Sequence, residues 1–115
     1  MNIYLIGSLR NPQVPQVAGL LRGWGHTVVD DWFAAGPRAD DCWQAYEEAR
    51  GHNFEGALLG LAAEHVFEWD LARIREADAG VLLAPAGKSA HMELGYMLGR
   101  GQCGYIYIPE PPTRW

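Results

Sequence analysis

Short apolar runs alternate with stretches of helical spacing along this sequence, and few folds accommodate that alternation. Ile3-Tyr4-Leu5-Ile6 is closed by Gly7-Ser8 and followed by Asn11-Pro12, an N-cap residue with proline at the first helical position. Val14, Val17, Ala18, Leu20 and Leu21 then keep roughly helical spacing up to Gly23-Trp24-Gly25, where a helix should stop. Thr27-Val28-Val29 reads as a second strand leading into Asp30-Asp31-Trp32, and Ala34 to Asp41, with its Gly-Pro pair, as a loop. A short polar helix is expected over Asp41 to Arg50, a break at Gly51-His52-Asn53, and a long helical stretch over Phe54 to Ala77 with a bend near Gly60. Gly80 to Ala84 supplies the next strand, Pro85 to Lys88 a turn, and Ser89 a cap for a helix running to about Leu98. Gly104 to Ile108 is a fourth strand, and Pro109 to Trp115 a proline-rich tail.

Strands alternating with helices predict an α/β fold: a single doubly wound domain over residues 1–115, Rossmann- or flavodoxin-like, with a parallel sheet of four to five strands and helices on both faces. A chain of 115 residues has room for one core and one site. Ligands of such sheets bind beyond the carboxyl ends of the strands, so the βα loops Gly7–Arg10 and Gly87–Ser89 line the expected site.

Composition removes several classes of function. Apolar residues make up 49 % and charged residues 20 %, which excludes a disordered chain. The net charge of -5 has the wrong sign for a nucleic acid polymer. The longest weakly polar run, Gly56 to Ala63, is far short of the ~20 residues of a membrane span. No basic region precedes the first strand, so a soluble, cytoplasmic protein without membrane contact is expected. Cys42 and Cys103 lie far apart and are expected to be reduced thiols. His26, His52, His65 and His91 share no ligand spacing, and His65 with Glu68 lacks further ligands, so neither a metal nor a cofactor is expected.

The turn Gly87-Lys88-Ser89 resembles the end of a phosphate loop, but such a loop needs glycine at position 82, where this chain has Leu82. Lys88 is still free to face an anion. Two carboxylates are more informative. Leu59, Ala62, Val66, Asp70 and Ile74 fall at three- and four-residue steps, so Asp70 interrupts a stripe expected to face the core. Burial would raise its pKa and suit it to hold or deliver a proton; alternatively it pairs with Arg10, Arg73 or a backbone amide. Glu93 lies in the first turns of the helix opened by Ser89, where the helix dipole should keep it ionised, either to act on an electrophilic carbon or merely to complement the dipole. Trp24, Trp32, Trp43, Trp69 and Trp115 suit a core or an interface, although Trp32 and Trp43 also flank the loop after the second strand, where they could stack on a base.

Three segments, Ile3 to Arg10, Phe67-Glu68-Trp69-Asp70 and Ser89-Ala90-His91-Met92-Glu93-Leu94-Gly95-Tyr96, together resemble the nucleoside 2-deoxyribosyltransferase superfamily over nearly the whole chain. The resemblance implies that Glu93 attacks C1′ of the sugar, Tyr4 positions it, and Asp70 handles the proton of the departing base. Gly7-Ser8-Leu9-Arg10 resembles the Gly-Ser-x-Arg loop of the 2′-deoxynucleoside 5′-monophosphate N-glycosidase branch, in which Ser and Arg hold the 5′-phosphate. Gly87 stands where relatives carry an Asp or Ser that contacts the sugar or phosphate, which leaves Ser89 or Lys88 as the candidates for that contact. The implied activity is hydrolysis of a (2′-deoxy)nucleoside 5′-monophosphate to free nucleobase and (deoxy)ribose 5-phosphate. Base exchange and a non-catalytic nucleotide sensor are the alternatives. The chain stops before the last strand and helix usual in that family, in which a neighbouring subunit often completes the pocket. Five tryptophans and a proline-rich tail ending in Trp115 give more aromatic surface than a small monomer easily hides, and the resemblance implies at least a dimer, so a homodimer or higher homo-oligomer is expected.

Overall fold

The run at the amino terminus becomes an inner strand because it is buried on both faces: Ile3, Tyr4, Leu5 and Ile6 are all at most 4 % exposed. The computed structural model describes residues 1–115, with strands β1 (Asn2–Ile6), β2 (Thr27–Val29), β3 (Ala79–Leu83) and β4 (Cys103–Tyr107) in the order β2-β1-β3-β4. Every pairing is parallel, with Tyr4 beside Val29 on one side and Gly80 on the other. The helices are α1 (Val14–Gly23), α2 (Ala39–Ala49), α3 (Phe54–Leu58), α4 (Leu61–Glu76) and α5 (Lys88–Gly99).

The two-residue period of a strand sorts the core into two layers. Leu5 and Leu83 join Val14, Val17, Ala18 and Val28 beneath α1. Tyr4, Ile6 and Leu82 face the other way and join Ile74, Ala90, Leu94 and Met97 from α4 and α5. From β1 the chain goes first to β2 on one side and later to β3 on the other, which opens a crevice beyond their carboxyl ends. No helix is long and apolar enough to cross a membrane.

Several boundaries depart from the sequence reading. Asn11 does not cap α1: its side chain accepts from the Gln13 amide at 3.0 Å, forming a turn, and the helix starts at Val14 with Pro15 in its first turn. The expected loop over Ala34 to Asp41 is a 3-10 turn over Asp31–Ala35, and α2 already begins at Ala39, where Asp40 and Asp41 complement the helix start. Phe54 to Ala77 is two helices rather than one bent helix, because Gly60 adopts extended backbone (φ -82°, ψ 162°) and starts α4 afresh. Asn53 caps α3 by accepting from the Gly56 amide at 2.8 Å. Ser89 does not cap α5; Gly87 holds that position and Ser89 sits inside the first turn. The stripe from Leu59 to Ile74 is not a core face: Leu59 is 89 % and Val66 59 % exposed, and only Ile74 is buried. Its amino-terminal members precede or open α4, away from the residues that reach the sheet.

Two glycines let α5 press onto the sheet. A Cβ at Gly80 would lie 2.6 Å from Met97 Sδ and 3.2 Å from Ile6 Cδ1, and one at Gly104 would lie 2.7 Å from Leu98 Cδ2. Met97 and Ile6 are fully buried and have nowhere to retreat. Gly80→Val should therefore destabilise the fold by about 1–3 kcal/mol or more. Gly19→Ala, which meets nothing on the surface of α1, should stabilise it by up to about 1 kcal/mol. Urea denaturation of both variants checks this pair, and equal effects would refute the close approach of α5.

Candidate active site

Helical spacing on two facing helices builds the site. Phe67, Asp70, Leu71 and Ile74 line one wall from α4, and Ser89, Met92, Glu93 and Tyr96 line the other from α5, each set at three- and four-residue steps. With Arg75 they line an open cavity of about 530 Å³ between the helices. Tyr4 stands beneath it on β1, and its hydroxyl donates to Asp70 Oδ1 over a long 3.5 Å.

Burial dominates the electrostatics. The Glu93 carboxyl is pushed up to about 7, first by desolvation and then by the negative charge of Asp70. Asp70 is also raised by burial, although the Tyr4 hydroxyl partly offsets this by stabilising its ionised form. Tyr4 is held well above the usual phenol range by burial and then by the charges of Glu93 and Asp70, so it remains a donor. The expectation that the helix dipole keeps Glu93 ionised is thus corrected: Glu93 lies in the second turn of α5, beyond the strongest part of the dipole, and desolvation wins. Asp70 is paired neither with Arg10 nor with Arg73, which bridge to Asp41 and Glu76 respectively.

The structure brings Tyr4, Asp70, Glu93 and Ser89 together, whereas the first loop does not line the cavity. Gly7 packs under Trp32 and Val14, where a Cβ would touch both, and Leu9 is half-buried. The Ser8 hydroxyl accepts from the Arg10 amide at 3.1 Å. The Arg10 guanidinium is 67 % exposed and reaches Asp41 only at 3.7 Å, a weak surface contact that leaves it free to move. The Gly87 carbonyl is 2.8 Å from His91 Nδ1. Trp32 is structural: its indole donates to the Leu5 carbonyl at 2.9 Å, and its ring packs against both core layers.

A second cavity, about 250 Å³, lies between α2 and α3 and includes Trp43, Glu47, His52 and Phe54. The buried carboxylate of Glu47 is engaged by His52 Nδ1 at 2.6 Å, which closes the α2–α3 corner. Cys42 and Cys103 are exposed and unbridged.

Sequence reasoning missed Phe67, Met92, Arg75 and Tyr96 as cavity residues. Their signal was present: 67-70-71-74 and 89-92-93-96 are helical faces centred on the two acids. Arg75 Nε donates to the Tyr96 hydroxyl at 3.0 Å, and this bond lowers the Tyr96 pKa.

The raised Glu93 pKa has a definite sign in folding. An acid whose pKa is higher in the fold than in the open chain contributes stability that is fully present below its ordinary 4.5 and is lost as pH rises through about 7. The loss is on the order of 3 kcal/mol. Glu93→Gln should flatten that part of the pH–stability curve between the two values. Parallel curves for wild type and variant would contradict the assignment.

No protein-family model matches the sequence, and no curated protein matches it. Among solved structures, a 2-deoxyribosyltransferase from the psychrotolerant bacterium Bacillus psychrosaccharolyticus is similar, with a TM-score of 0.64 over 98 % of this chain and 76 % of that one. The two are 23 % identical, and the likeness establishes the shared α/β fold.

Proposed function

We propose that this protein is an N-glycosidase acting on a 2′-deoxynucleoside 5′-monophosphate. The observation that carries the reading is the desolvated Glu93–Asp70 pair over Tyr4 in one cavity. Glu93, raised to about 7 by burial and by the charge of Asp70, exchanges its proton near neutral pH, and glycosidic cleavage needs one ionised and one protonated carboxyl. With the proton on Asp70, the Glu93 carboxylate attacks C1′. The bond from C1′ to the base breaks, its electron pair leaves with the base, and Asp70 supplies the proton. Water then attacks C1′, the ester to Glu93 breaks, and a proton from water returns to Asp70. The products are free base and deoxyribose 5-phosphate. Tyr4, which stays protonated in this setting, orients the Asp70 carboxyl by donating to it and stabilises its ionised form once the proton has passed to the base.

The phosphate falls to the first loop, where Ser8 and the exposed Arg10 guanidinium offer a hydroxyl and a forked cation, with Gly7 and Leu9 shaping the turn. Gly87, Lys88 and Ser89 flank the same carboxyl edge of the sheet. The solved relative is described as a 2-deoxyribosyltransferase, which supports base exchange as a second reading in which a nucleobase replaces water. Assembly is part of the proposal. Leu59, Leu61, Val66 and Phe67 on and before α4, and Tyr105 to Ile108 on and just after the edge strand β4, leave more apolar surface in solvent than a small monomer ordinarily shows. A homodimer or larger homo-oligomer covers it, and light scattering that finds an active monomer would refute this.

Product analysis distinguishes the chemistries: free base with sugar phosphate for hydrolysis, a new nucleoside for exchange, and neither for a sensor. Glu93→Ala should lose at least about 10³-fold in kcat while remaining folded. Arg10→Ala should erase a monophosphate-over-nucleoside preference of roughly 30- to 1,000-fold in kcat/KM. Equal losses on both substrates would remove Arg10 from phosphate recognition.

A further inference from the structure

The cavity has two chemically different ends. α5 begins just after β3 leaves the carboxyl edge of the sheet, whereas α4 ends just before β3 enters at the amino edge. Ser89 therefore marks the end nearest the first loop, and Arg75 with Tyr96 marks the opposite end. At a rise of 1.5 Å per residue, Arg75 lies about 7.5 Å along α4 from Asp70, and Tyr96 about 4.5 Å along α5 from Glu93. A sugar held at the two acids with its phosphate toward Arg10 directs its base toward Arg75.

That end offers hydrogens and no acceptor amide or further carboxylate. Apart from Asp70, Glu93 and Ser89, the only polar side chains lining the cavity are Arg75 and Tyr96. Arg75 uses Nε to hold the Tyr96 hydroxyl, which leaves both terminal nitrogens unengaged, and no carboxylate bridges to it. The Tyr96 oxygen accepts that bond and keeps its own hydrogen to donate. We propose that Arg75, positioned by Tyr96, determines base specificity, selecting bases that carry a carbonyl oxygen where adenine and cytosine carry an amino group. A guanidinium edge matches paired acceptors such as O6 and N7 of a 6-oxopurine, and an amino group there would oppose donor to donor. The positive charge also favours electron density gathering on the departing oxo-base.

This inference rests on the glycosidase reading, and one experiment separates the two. The experiment measures kcat/KM for base release from the 2′-deoxy monophosphates of guanine, hypoxanthine and uracil against those of adenine and cytosine, using the wild type, Arg75→Ala, Arg75→Lys and Tyr96→Phe. The wild type should favour the oxo-bases by about tenfold to a hundredfold. In Arg75→Ala that ratio should fall to within about threefold of one. Arg75→Lys and Tyr96→Phe should be intermediate, because each keeps a charge but loses the fork or its anchor. Base release with a ratio that Arg75→Ala leaves intact, or a wild-type preference for amino bases, overturns the inference alone. A uniform loss on all bases together with a changed oligomer mass also overturns it, by assigning Arg75 to assembly. No release from any nucleotide overturns the glycosidase reading and this inference with it.

Discussion

Two half-buried carboxyl groups share one cleft, where desolvation and mutual repulsion disfavour ionising both, and much of the molecule serves to keep them there. Water would ordinarily hold Glu93 and Asp70 in their charged forms. Between α4 and α5 the half-buried Leu71 and the buried Ile74 take part of that hydration space, and the cost appears as a Glu93 pKa pushed up to about 7. Tyr4 breaks the symmetry of the pair, since its hydroxyl donates to Asp70. Glu93 is therefore the acid that keeps its proton to higher pH, and in the proposed reaction positive charge building at C1′ would favour the Glu93 carboxylate and shift the proton to Asp70.

The sheet supplies the rigidity that this arrangement needs. Tyr4 is fixed because β1 is an inner strand buried on both faces, paired with β2 and β3. Glu93 is fixed because α5 lies flat on β3 and β4, with Met97 over Gly80 and Leu98 over Gly104. Met97 lies one turn beyond Glu93, so a close helix-to-sheet contact is adjacent to that carboxyl. The first half of α4 has no such support, and Leu61, Val66 and Phe67 remain exposed there.

The sequence made the fold readable where local rules and packing agree. All four strands, the parallel α/β architecture and the stop at Gly23-Trp24-Gly25 follow from apolar runs and punctuation, and Gly25 does adopt the positive φ of +91° that such a stop uses. Helix starts were harder. Asn11 and Ser89 have the chemistry of caps, but neighbouring residues take those places, because side-chain propensity does not decide among adjacent starts. Asp70 and Glu93 could be singled out from spacing and placement. Their mutual desolvation could not, since it depends on which faces of α4 and α5 meet: the stripe through Leu59 and Val66 is offset from the true face through Phe67, Leu71 and Ile74. Arg75 and Tyr96 escaped notice for the same reason, being 21 residues apart and joined only by the fold.

The coupling of the acids is open to direct observation. Carbon-13 NMR of glutamate side-chain carboxyls, assigned by loss of one resonance in Glu93→Gln, follows Glu93 through a pH titration of the folded protein. Glu93 should titrate near 7 in the wild type, and at a lower pH in Asp70→Asn, where the neighbouring negative charge is gone while burial persists. A Glu93 midpoint near its ordinary 4.5 in the wild type, or one unmoved by Asp70→Asn, would contradict the desolvated pair on which the account stands.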